Sequence, residues 1–183
     1  MAEDSHGNSY AIGTYGNSIA KIYSHKREVR LWYYPQKYTK EYGFGSIFSY
    51  GDNLIVSDLL SHGFVVFDIR SQTGPGKTPK PKEVALQGLP SDYKPLSSDG
   101  LFALTKYGGK IALWSDDFNG TSVYGSNDGW ETARYLGLLP NNDPAASSSL
   151  STYGLPVQPR KSFPFIDITA DVSKIVRESK ICD

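Results

Sequence analysis

The feature that most constrains this chain is a strand, turn, strand pattern that recurs behind a Tyr-Gly pair. The Tyr-Gly pairs that head the copies are Tyr15-Gly16, Tyr50-Gly51, Tyr107-Gly108 and Tyr153-Gly154. After the first comes Ile19-Ala20-Lys21-Ile22-Tyr23, a polar turn over 24–28, and Val29-Arg30-Leu31-Trp32-Tyr33. The second gives Leu54-Ile55-Val56-Ser57-Asp58, a turn over 59–63 and Phe64-Val65-Val66-Phe67-Asp68-Ile69. The third gives Ile111-Ala112-Leu113-Trp114, a turn over 115–120 and Thr121-Ser122-Val123-Tyr124. From the repeat tyrosine to the returning valine (Val29, Val65, Val123) the offsets are 14, 15 and 16 residues. Short β-branched and aromatic runs bounded by Gly, Asn and Asp are hairpin signals. The pattern therefore predicts that Tyr15, Tyr50 and Tyr107 begin equivalent strands, with Ile22, Val56, Val66 and Leu113 in the core.

The Tyr-Gly pairs lie 35, 57 and 46 residues apart, which brackets the roughly 40–50 residues of a propeller blade. The expected fold is all-β, of repeated antiparallel hairpins in a β-propeller-like arrangement, with a β-sandwich or barrel of short hairpins as the alternative. The fourth copy, over 153–168, carries Pro156, Pro159 and Pro164 and suits an edge or closing strand. Gly and Pro make 71–82 an exposed loop, and 141–151 is a second, Ser-rich one. Val172, Ile175 and Val176 recur at helical spacing, predicting a short C-terminal helix over about 170–180 that covers a sheet edge or the end of the core.

At 183 residues the chain is read as a single domain spanning 1–183. With 19 basic and 19 acidic side chains it has no net field to collect nucleic acid. Its apolar run over 63–67 is far short of the roughly 20 residues that cross a bilayer. The first eight residues lack the basic and apolar parts of a secretory signal, so both a cytoplasmic and a secreted, processed chain fit. Cys182 is the sole cysteine, which rules out an internal disulfide and a multi-cysteine zinc site.

Catalytic signatures have no anchor here. Gly76-Lys77-Thr78 ends like a phosphate loop, but position 71 is Ser71 where that loop needs Gly, and Pro79 and Pro81 forbid the following helix. His6, His25 and His62 show no ligand spacing. No Gly-x-Ser-x-Gly elbow occurs, and Asp116 and Asp117 read as turn formers beside Asn119-Gly120. No catalytic residue, metal ligand or cofactor is assigned.

Two segments carry a resemblance. Ser126-Asn127-Asp128-Gly129-Trp130-Glu131-Thr132-Ala133 resembles the Asp box of sialidase-type propellers, keeping Ser126, Asp128 and Thr132. Arg30-Leu31-Trp32-Tyr33 with Glu41 downstream, and Gly129-Trp130 followed by Leu136-Gly137 and Pro140, resemble the repeat of fungal fucose-specific lectins. The resemblance implies that Arg30 and Glu41 read sugar hydroxyls and that Trp130 stacks on the sugar face. The expected function is thus non-enzymatic carbohydrate binding with a glycan or glycoprotein partner. The alternatives are a propeller hydrolase (glycosidase or lactonase), suggested by Val56-Ser57-Asp58 and Val66-Phe67-Asp68, or a secreted protein-interaction effector. About four repeats form either a small closed ring or one that closes by assembling with other copies.

Overall fold

The computed structural model describes residues 1–35, 40–71, 78–98, 100–116, 119–140, 169–179 and 181. Thirteen strands form three sheets among these residues. Sheet I is β1 (Ala2–Glu3), β2 (Ser9–Gly13), β3 (Ser18–Tyr23) and β4 (Glu28–Tyr33), in that order. Sheet II is β5 (Phe44–Tyr50), β6 (Asn53–Asp58), β7 (Gly63–Asp68) and β8 (Lys82–Glu83). Sheet III runs β10 (Gly100–Ala103), β11 (Ile111–Asp116), β12 (Gly120–Gly125), β13 (Thr132–Pro140), and is flanked by β9 (Ala85–Gln87), which pairs parallel to β13. All other pairings are antiparallel.

Turn chemistry explains the hairpins. Tyr50 faces Asn53 across the two-residue turn Gly51-Asp52, and Gly51 has φ 55°, the left-handed geometry that a tight hairpin needs. The predicted equivalence of the Tyr-Gly pairs is corrected here. Tyr50-Gly51 and Tyr107-Gly108 join the first and second strands of their sheets, whereas Tyr15-Gly16 joins the second and third strands of sheet I. A Tyr-Gly turn serves any hairpin, and β1 has only two residues, too few to be read as a strand. The expected core residues Val56 and Leu113 are buried, while Ile22 and Val66 are half-buried.

The sheets pack face to face in series. Tyr10, Ile19, Trp32 and Tyr33 of sheet I share a core with Phe44, Ile47, Leu54, Val56, Val65 and Phe67 of sheet II. The opposite face of sheet II gives Phe48, Ile55 and Phe64 to a second core with Leu101, Trp114 and Tyr124 of sheet III. β6 carries the unbroken apolar run Leu54-Ile55-Val56 because it is covered on both faces, and none of the three has exposed surface. Consecutive antiparallel sheets stacked in this way are propeller-like, not two layers of a sandwich, and the fold is all-β with one short helix. Val84, between β8 and β9, is buried in the second core, so one extended segment ties the outer strands of sheets II and III together.

The helix α1 (Thr169–Ser179) lies at the expected place. It covers a whole sheet face, with Val172, Val176 and Ile181 against Ile111, Leu113 and Val123. Of the expected loops, Lys82 already belongs to β8, 72–77 and 141–151 lie outside the described residues, and so do the fourth copy over 153–168 and Cys182. No described helix is long and apolar enough to cross a membrane.

The β1–β2 turn is organised by Asp4, which accepts from the His6 and Asn8 amides (2.9 Å each), Asn8 Nδ2 (3.0 Å) and the Tyr10 hydroxyl (3.0 Å). Burial acting alone raises its pKa, but the hydrogen bonds from Asn8, Tyr10 and His6 outweigh it and hold the carboxyl below its ordinary 3.8. A depressed folded-state pKa stabilises the fold fully above 3.8 and loses that contribution as pH falls through the folded value. The melting temperature is expected to drop on acidification below about pH 4, and Asp4→Asn to flatten that slope in thermal melts across the acid range.

Candidate functional site

One rim of the stack concentrates exposed large apolar side chains. Tyr15 sits in the β2–β3 turn, Tyr42 in the segment entering β5, Leu60 in the β6–β7 turn and Leu96 in the segment leading to β10. Their exposures are 68%, 40%, 43% and 61%, the reverse of what an isolated turn of a polar chain would show.

The rim is held together from beneath. Tyr15 and Tyr42 form an isolated antiparallel bridge with their rings edge to face, centroids 5.9 Å apart. Below them the buried Asn17 carboxamide accepts from the Phe44 amide (3.0 Å), and the Gly43 amide donates to the Thr14 carbonyl (3.4 Å). Gly43 is required, because a Cβ there would overlap the Asn17 carboxamide. The Leu59 amide donates to the Gly43 carbonyl (3.0 Å), which brings the Leu60 turn against the Tyr42 segment. Ser57 Oγ accepts from the Ser46 amide (2.8 Å) and meets Ser98 Oγ at 2.7 Å, while Ser46 Oγ accepts from the Leu101 amide (3.0 Å). Those serines link the rim of sheet II to that of sheet III.

Asp116 anchors the last corner. It has no exposed surface, and it accepts from the Leu96 amide (2.7 Å), Ser97 Oγ (3.3 Å), Asn119 Nδ2 (2.9 Å) and the Asn119 amide (3.4 Å). Trp114 Nε1 donates to the Ser97 carbonyl (3.1 Å), fastening the same segment to the core. The rim thus sets exposed aromatic and aliphatic groups on a base in which Asn17, Ser57 and Asp116 are hydrogen-bonded, a preformed contact surface.

The sequence-predicted trio does not assemble. Trp130 is 1% exposed, its ring is 5.2 Å from Phe48 and 5.9 Å from Phe64, and its Nε1 donates to the Gly109 carbonyl (3.2 Å). A ring enclosed between sheets II and III offers no face to a sugar, so Trp130 is a core residue and its assignment as stacking platform is corrected. Arg30 lies on β4, where Nε donates to Glu28 Oε1 at 2.6 Å and the guanidinium lies over the Tyr23 ring at 5.7 Å. That hydrogen bond from Arg30 holds the Glu28 carboxyl below its usual range. Glu41 is exposed and next to Tyr42, so of the three it alone adjoins the rim.

Around Trp130 the chain makes a tight turn. The Trp130 amide donates to Ser126 Oγ (2.9 Å), Ser126 Oγ donates to Asp128 (2.9 Å), and Asp128 accepts from the Thr132 amide (3.0 Å) and Thr132 Oγ1 (2.7 Å). This network holds Trp130 at φ 71°, a left-handed geometry costly for a bulky residue, and aims the indole inward.

A separate apolar concavity of about 180 Å³, lined by Leu104, Tyr107, Leu113 and Val172 among others, lies between α1 and the 3-10 turn Thr105–Tyr107. Among the described residues no three His, Cys, Asp or Glu side chains converge. Sequence reasoning missed the rim although a signal was present: Tyr42-Gly43 is a further Tyr-Gly pair, and its glycine lets the Asn17 side chain approach closely.

No protein-family model matches the chain. It is similar to "Trichothecene biosynthesis protein 14" of Trichoderma arundinaceum, 29% identical over 147 residues, covering 75% of this chain and 38% of that protein. It is also similar to "Core trichothecene cluster (CTC) protein 14" of Fusarium sporotrichioides, 28% identical over 145 residues, covering 74% and 36%. The chain therefore spans less than two fifths of the length of the curated relatives it matches. Among solved structures it overlays on the major Malassezia sympodialis allergen Mala s 1 with a TM-score of 0.49 and 21% identity, covering 73% of this chain and 39% of that one. The resemblance to fucose-specific lectins and Asp-box propellers is overturned, since the relatives that sequence comparison finds are trichothecene-cluster proteins.

Proposed function

We propose that the chain is a non-enzymatic binding segment whose contact surface is the Tyr15, Tyr42, Leu60 and Leu96 rim. The observation that carries this reading is the exposure of a fixed Tyr15–Tyr42 pair beside two exposed leucines, on a base whose buried polar groups are hydrogen-bonded to each other. The chemistry that fits is a saturated ring with one apolar face and hydroxyls at its edge. Phenol rings take the apolar face, while the phenolic hydroxyls and the neighbouring Glu41 suit the edge. Two sources are candidates for such a ring: a sugar, in line with the carbohydrate expectation but with Tyr15 and Tyr42 in the place given to Trp130, and a trichothecene, the class in the relatives' names.

Calorimetric titration with methyl glycosides and, separately, with a hydroxylated trichothecene distinguishes the two. Tyr15→Ala and Tyr42→Ala are each expected to weaken binding by about three- to tenfold with the melting temperature unchanged, because both rings are exposed. Binding that survives the double substitution at full strength contradicts the proposal, as does failure of both ligand sets to bind.

A further inference from the structure

Each sheet ends in an outer strand with a single neighbour among the described residues: β9 in sheet III, β8 in sheet II and β4 in sheet I. β9 and β8 are only three and two residues long. In sheet I the last strand is β4, and among the described residues it pairs only with β3. β4 is six residues long and carries Val29 and Leu31 at 66% and 59% exposure. A long edge strand with exposed apolar residues is a template for pairing with another strand. Alternation puts Val29 and Leu31 on one face and Glu28 and Arg30 on the other.

We propose that β4 is a self-association edge, pairing antiparallel with β4 of a second copy of this chain in a register centred on Val29. In that register Glu28 stands opposite Arg30 of the partner subunit, and Arg30 opposite Glu28 of the partner subunit. The intrachain ion pair at 2.6 Å opens into two interchain pairs, and the two Val29 side chains meet on the other face. A twofold axis through this point makes each strand complementary to itself, as an isologous contact requires. A register centred between Arg30 and Leu31 pairs the full strand but sets Glu28 against Tyr33 and matches no charges. Charge complementarity therefore selects the Val29 register. The other ways of covering this edge, by another segment of the chain or by an unrelated protein, predict no self-association and are outcomes of the same test.

The test is molar mass in solution by light scattering and sedimentation of the 183-residue chain, whose single-copy mass is 20.2 kDa. The expected species is a dimer at low salt. Glu28→Arg and Arg30→Glu each oppose like charges across the register and are expected to weaken dimerisation by about tenfold or more. The double exchange Glu28→Arg with Arg30→Glu restores complementarity and is expected to return the dimer to within a few-fold of the parent. Arg30 is exposed and Glu28 half-exposed, with their ion pair at the surface, so circular dichroism and melting should stay close to the parent throughout. A monomer at every concentration overturns the proposal, and so does a dimer indifferent to either single exchange or one the double exchange fails to rescue.

Discussion

Trp130→Ala is expected to lower the stability of this domain by about 3–5 kcal/mol, the usual cost of removing a fully enclosed large aromatic. The indole fills the space between Phe48 and Phe64, and its Nε1 satisfies the Gly109 carbonyl. Alanine leaves that cavity and also inherits the left-handed backbone at φ 71°. Since a chain of this size shifts by roughly 2–4 °C per kcal/mol, the melting temperature should fall by about 6–20 °C. Trp130→Phe keeps most of the ring volume and gives up the indole hydrogen bond, so its loss should be well under half as large. Thermal melts of the two variants separate a core tryptophan from a ligand platform, which would leave stability nearly unchanged.

Asp116→Ala should be the most damaging polar substitution. The buried carboxylate is the acceptor for the Leu96 and Asn119 amides and for the Ser97 and Asn119 side chains. Removing it strands several buried donors at once, at a cost on the order of 3 kcal/mol or more. Asp116→Asn retains one acceptor oxygen and should fall between. The rim should suffer along with the fold, because Leu96 is placed by that carboxylate. Chemical denaturation with unchanged m-value but a lowered midpoint is the expected signature.

Much of the architecture was legible in the residues. Continuous apolar runs such as Leu54-Ile55-Val56 announce a strand covered on both sides, and Gly51 and Gly63 mark the turns that bound it. The spacing of Val172, Ile175 and Val176 gave the helix that closes sheet III. Two things escaped. β1 is a two-residue strand whose identity comes entirely from its pairing with β2, so local pattern set Tyr15-Gly16 level with Tyr50-Gly51 and Tyr107-Gly108 when it stands one strand further on in its sheet. Trp130 follows a Gly in a polar turn, which suggests exposure; its burial depends on the Ser126, Asp128 and Thr132 hydrogen bonds that reverse the chain and on the packing of sheet II against sheet III, which brings Phe48 and Phe64 against the indole. The rim was hidden for a related reason: Tyr15, Tyr42, Leu60 and Leu96 are up to 81 positions apart in the chain and come to the same end of the stack only when the sheets pack.

In the proposed binding mode, ligand contacts the Tyr15 and Tyr42 rim and leaves Trp130 untouched. Side-chain NMR of the intact chain, titrated with a methyl glycoside and with a hydroxylated trichothecene, tests it residue by residue. The expected result is a shift of the Tyr15 and Tyr42 ring signals with the Trp130 indole N–H unmoved, and a shifting Trp130 indole with silent tyrosines would contradict it.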